Sequence, residues 1–153
     1  MKTKVFGLLA AGLLFASGAA VAQEHMTDGP VWVLSSYQIN DGQFDNYMMY
    51  LRKHSMQLYA AQKQAGLILD YKVFLSDRQN PNDGDITVAI LFASAADAFD
   101  YDAGDDAKGD EIAEKHWASM DKAAAEKEQN SRYAMRRFIS NSWAREVTLK
   151  PAP

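Results

Sequence analysis

A chain of 153 residues, 48% hydrophobic and 24% charged, holds material for one domain of ordinary globular composition, which excludes a disordered or fibrous protein. Cysteine is absent, so disulfides, thiolate metal sites, iron–sulfur clusters and cysteine nucleophiles are excluded with it. With 16 basic against 20 acidic residues the net charge is −4, the wrong sign for a nucleic-acid binder.

The chain opens on a three-part export pattern. Lys2 and Lys4 precede an apolar run from Val5 to Ala16, Ser17 and Gly18 break it, and Ala20-Val21-Ala22 offers small residues for cleavage before Gln23. Residues 1–22 are therefore expected to be a secretory signal peptide, and residues 23–153 a single domain. The tail of the run is too weakly apolar to span a bilayer, so no membrane span is expected once the signal is removed. A periplasmic or secreted location follows. An exported domain without cysteine must draw its stability from packing, which suits a bacterial periplasm.

Val31 to Ile39 is rich in β-branched and aromatic residues and reads as a strand, ended by the Asn40-Asp41-Gly42 turn. Phe44, Tyr47, Met48, Leu51, Ser55, Leu58, Gln62 and Ala65 then recur at helical spacing, and Gly66 closes the helix. Leu67 to Leu75 and Ile86 to Ala93 read as two strands of a hairpin around a long polar loop. Ser94 with Asp97 signals a capped helix start, which the acidic stretch from Asp100 to Asp110 interrupts. A long helix is expected from about Glu111 to Gln129, and a short last strand from Trp143 to Leu149.

This order is βαββαβ. It predicts an α+β, ferredoxin-like domain: a four-stranded antiparallel sheet with both helices on one face. Val31, Val33, Tyr37, Ile39, Leu67, Leu69, Tyr71, Val73, Ile86, Val88, Ile90 and Phe92 share the parity expected beneath the helices. The other parity mixes Trp32, Leu34, Ile68, Phe74, Ala89 and Leu91 with Gln38, Asp70, Lys72 and Glu146, and that much apolar surface predicts a homodimer packed sheet to sheet.

The segment Asn40-Asp41-Gly42-Gln43-Phe44-Asp45-Asn46-Tyr47 with Leu51, followed by Ala65-Gly66-Leu67-Ile68-Leu69-Asp70-Tyr71-Lys72-Val73-Phe74, resembles the first half of a dimeric α/β-barrel protein. That superfamily includes antibiotic-biosynthesis monooxygenases, stress-response barrels and NIPSNAP-like proteins. The resemblance covers residues 31–93 and implies the dimeric α/β-barrel fold; its members differ widely in activity.

Chemistry rests on few residues. His54 lies at the edge of the first helical stripe and His116 within that of the second. If both helices cover one sheet face, the two imidazoles can share a cavity with Tyr37, Tyr47, Tyr71 and Trp117, a set suited to a small aromatic or apolar ligand. Binding without conversion is the first expectation. The alternative is a cofactor-independent monooxygenase, isomerase or lyase with His54 or His116 as catalytic acid/base. A third reading makes Met49 and Met56 part of a contact surface.

No metal or other cofactor is expected. Neither histidine has a clustered ligand partner, and a lone helical histidine is a weak haem signal. The acidic stretch misplaces the glycine and lacks a ligand that a calcium loop needs. Arg132, Arg136, Arg137 and Arg145 gather late positive charge, to serve a dimer contact or to attract an anion.

Overall fold

The structure is a computed structural model that describes residues 25–152; the export pattern of residues 1–22 lies outside them. Strand β1 (Met26–Ile39) leads into a helix made of α1 (Phe44–Tyr50), a π-helical turn (Leu51–Ser55) and α2 (Met56–Gln64). Strands β2 (Asp70–Leu75) and β3 (Ile86–Phe92) follow, then α3 (Ala95–Phe99), α4 (Ala103–Trp117), α5 (Lys122–Met135) and β4 (Arg136–Leu149). The strands form one antiparallel sheet in the order β2-β3-β1-β4. The fold is ferredoxin-like.

Local chemistry sets the boundaries. Gly42 and Gly66 take φ of 72° and 77°, a left-handed conformation that ends β1 and the first helix at little steric cost. Ser94 accepts the amide of Asp97 and donates to its carboxylate at 2.9 Å, so the capping pair read in the sequence is formed. In β1 the Gly29-Pro30 step falls where the register with β4 shifts, the position at which a strand tolerates proline.

Four expectations about the elements change. The acidic stretch breaks the helix over three residues only: α3 ends at Phe99, Asp102 caps α4 by accepting the amides of Gly104 and Asp105, and residues 103–110 are helical. Carboxylates in a first helical turn are favoured by the helix dipole. The helix expected over 111–129 is two, because Asp121 starts α5 by capping Ala124. Strand β2 begins at Asp70 rather than Leu67. Strand β4 begins at Arg136 rather than Trp143, and pairs with β1 along most of its length. Its Ser140-Asn141-Ser142 centre has poor strand propensity, which matters little on a solvated edge strand held by its partner.

The register places Val33 opposite Ile90, Tyr37 opposite Ile86 and Val73 opposite Val88, so these side chains share the face beneath the helices. There Ile39, Tyr47, Tyr50, Leu51, Ile86 and Val88 form the buried core, with Tyr59, Val73 and Met135 against it. On the other face Trp32 donates to Glu146 at 2.8 Å, and the Lys72 ammonium lies 5.0 Å from the centre of its ring. Phe74 on that face is about half exposed, whereas Ile68 and Ala89, expected there too, are buried within the single chain, Ile68 lining a cavity with Ile90 and Phe92.

Candidate functional site: a Glu–His–His line beneath the helices

The π-helical turn holds His54. Its wide winding is marked by the Met56 amide, which donates to Leu51 five residues back rather than four. Tyr50, Leu51 and His54 all bury their side chains around this turn. His54 is only 2% exposed, so it belongs to the interior and not to the edge of the stripe as the spacing suggests.

An imidazole so deeply buried needs partners for both nitrogens. His54 has them. Its Nδ1 lies 2.9 Å from Nε2 of His116 on α4, and its Nε2 lies 3.0 Å from Oε1 of Glu128 on α5. Trp117 stacks on the His54 ring at 4.6 Å and meets His116 edge-on at 4.7 Å, while Tyr50 closes the other side at 5.1 Å. Lys53 reaches the same Glu128 oxygen at 3.4 Å. Three helical segments distant in sequence thus converge on one ring.

Electrostatics decide the protons. The hydrogen bond from His54, with Lys53 as a lesser influence, holds the Glu128 carboxyl below its ordinary range, so it is an acceptor. His54 then carries a proton on Nε2, and in its neutral form its bare Nδ1 accepts from His116 Nε2. That assignment leaves His116 Nδ1 as a lone pair with no protein partner among the described residues. Burial is the main cause that pushes the His116 pKa down, which favours the neutral ring, able to accept a proton.

Glu128 and His116 bond opposite nitrogens of His54, so the three do not converge on a common point. No group of three or more histidine, aspartate or glutamate side chains among the described residues is placed to hold a metal ion.

The remaining candidates occupy two other neighbourhoods. Tyr37 and Tyr47 gather around Arg136, whose guanidinium lies 3.5 Å from the Tyr37 ring centre and donates to the Tyr47 hydroxyl. Tyr71 packs on Tyr59 at 5.8 Å. Neither histidine lines the cavity of about 590 Å³ under the helices. That cavity has Ile68, Ile90 and Phe92 on one side and Asp100, Asp106 and Asp110 on the other. Of the methionine stripe, Met49 is exposed, Met56 is half-buried, and Lys53 between them turns to Glu128.

Sequence reasoning missed Tyr50 and Glu128. Glu128 stands four residues before Arg132, a spacing that reads as a surface ion pair on one helix, whereas its carboxylate reaches across to α1's continuation.

No protein-family model matches the chain, and no curated protein does. Among solved structures the chain is similar to HapK from Hahella chejuensis, at 11% identity and a TM-score of 0.46 over 80% of this chain and 98% of that one. It is also similar to a dimeric protein of unknown function and ferredoxin-like fold from Bacteroides fragilis, at 13% identity and a TM-score of 0.37 over 79% of this chain and 96% of that one. These are likenesses of overall fold and say nothing about the site.

Proposed function

We propose that the protein is an exported homodimer that binds a small aromatic or apolar molecule and moves a proton on it without a cofactor, with His116 as the base. The observation that carries this reading is the hydrogen-bonded line Glu128–His54–His116, which ends on an unpartnered ring nitrogen. When Nδ1 of His116 takes a proton, its Nε2 proton can pass to His54 Nδ1, which brings the positive charge beside the Glu128 carboxylate. The carboxylate fixes the tautomer and stabilises the cation, the division of labour that makes a histidine an effective base. Trp117 and Tyr50 hold the His54 ring in place.

Export is supported by the basic, apolar and small-residue order of residues 1–22. Dimerisation is supported by Trp32, Leu34, Phe74 and Leu91 on the sheet face away from the helices, and by the resemblance to dimeric α/β barrels.

Proton abstraction is testable before a substrate is known. The protein is incubated in D₂O with a panel of enolisable aryl ketones, and deuterium uptake at carbon is read by mass spectrometry. The reading expects exchange with at least one member, reduced about 100-fold or more by His116→Ala. Exchange that survives unchanged in that variant, or no exchange across the panel, contradicts it.

A further inference from the structure

A second site lies where α5 hands over to β4. Asn40 binds the carbonyls of Ala134 and Met135 at 2.8 and 3.0 Å, which fixes the end of α5 against the end of β1. Arg132 in the last turn of α5 and Arg136 at the start of β4 are thereby set beside Tyr37 and Phe138, with the Arg136 guanidinium over the Tyr37 ring. With Tyr133 they line a cavity of about 330 Å³, the size of a small planar molecule.

The two guanidiniums are short of acceptors. Arg136 is occupied by the Tyr47 hydroxyl and the face of Tyr37. Arg132 donates to the Tyr133 hydroxyl at 3.3 Å, and its Nε is sealed from solvent with no partner among the described residues. Neither has a carboxylate partner among the described residues. In a chain of net charge −4, with 20 acidic residues to choose from, two adjacent arginines left to hydroxyls and rings keep their charge for something else.

The walls say what that is. Tyr37 and Phe138 meet edge to face at 5.9 Å, and the Tyr133 ring lies 5.1 Å from the Arg132 guanidinium. Aromatic faces beside paired guanidiniums suit a flat ring bearing an anionic group, since the fork of an arginine matches a carboxylate and the ring fills the apolar side. The 590 Å³ cavity rimmed by Asp100, Asp106 and Asp110 repels such an anion, so the two cavities have opposite preferences.

We propose that Arg132 and Arg136, with Tyr37, Tyr133 and Phe138, form a binding site for a small aromatic carboxylic acid. The site involves neither nitrogen of His116 and does not rest on the proton-transfer reading.

Calorimetric titration of the purified protein with benzoate, benzamide, acetate and inorganic phosphate tests it. Benzoate is expected to bind at least tenfold more tightly than the other three, with affinity that falls as salt is raised. Arg132→Gln, a substitution at a half-buried surface position, is expected to reduce benzoate affinity at least tenfold. Arg136→Lys keeps the charge but removes the fork, and is also expected to weaken binding. Chemical-shift changes on benzoate addition are expected at Tyr133 and Phe138. Benzamide or phosphate binding as well as benzoate, or undiminished benzoate affinity in folded Arg132→Gln, overturns the assignment. The deuterium-exchange result at His116 is independent of either outcome.

Discussion

His54 Nδ1 stands 2.9 Å from His116 Nε2, and one proton serves that contact. Because Glu128 accepts from His54 Nε2, a neutral His54 turns a bare Nδ1 to the contact; the proton then belongs to His116, and the free lone pair of the line falls on the far nitrogen of the more exposed ring. A buried residue and a carboxylate on another helix thus determine the character of a nitrogen neither of them touches.

The two histidines are therefore expected to differ in what they contribute to stability. His54→Ala removes a buried ring stacked on Trp117 and strands the polar groups on both sides. It should lower the unfolding free energy by about 3 kcal/mol. His116→Ala leaves His54 bonded to Glu128 and should cost about 1 kcal/mol. Urea denaturation of both variants measures the contrast, and equal costs would place His116 in the core.

Stability should fall with acid in two steps. The folded pKa of His116 lies below its ordinary 6.5, through burial and the facing His54, so the unfolded chain binds more protons between those values. Its contribution is complete above 6.5 and is lost as the pH falls toward the lower folded value. The Glu128 carboxyl, facing His54 and Lys53, lies below its ordinary 4.5, so its contribution is present above 4.5 and disappears as the pH falls through its folded value. Melting curves recorded from pH 8 to pH 3 should lose the upper step in His116→Ala and the lower step in Glu128→Gln.

Tyr47 is fully buried, and its hydroxyl is bonded by Arg136. Burial is also the main reason its pKa is raised. Tyr47→Phe keeps the ring in the core and removes the acceptor, so it should cost about 1 kcal/mol. Thermal melts measure the loss. An unchanged melting temperature would mean the Arg136–Tyr47 contact contributes nothing net.

The dimer proposal places Phe74 in the shared surface. As it is about half exposed in the single chain, Phe74→Lys should leave the fold intact and convert a dimer into a monomer. Sedimentation at micromolar concentration distinguishes the states; a wild-type protein that sediments as one subunit removes the interface.

Much of the fold was legible because its signals are local and reinforce one another. The end of the Val31–Ile39 strand, the glycines at 42 and 66, and the Ser94–Asp97 pair each declare a boundary that the structure has, whereas β1 starts at Met26 rather than Val31 and runs through Gly29-Pro30. Strand β4 was half hidden, because Arg136 to Ser142 carries only Phe138 and Ile139 among polar residues and takes its strand conformation from pairing with β1. The break before α5 was present in the sequence as Asp121, a good capping residue, but the apolar spacing runs through it and masks it.

The site was less legible. Two helices over one sheet face bring His54 and His116 within reach of each other, and periodicity suffices to suspect that. The π-helical turn carries no sequence signature, so nothing in the spacing around Leu51–Ser55 reveals that His54 is buried. Nor does a glutamate in a polar helix announce that it crosses to another helix. The arginines at 132 and 136 could be read as positive charge in an acidic chain; what they lack, a carboxylate partner, is visible only in three dimensions.

Long-range ¹H–¹⁵N correlation of the imidazoles at neutral pH reads which nitrogens of His54 and His116 carry protons. The account predicts protons on Nε2 of both His54 and His116, with a pyridine-like, unprotonated Nδ1 on His116 whose signal moves to that of a protonated nitrogen as the pH is lowered through the His116 pKa. A neutral His116 that carries its proton on Nδ1 would contradict it, since the line would then run the other way and present no base.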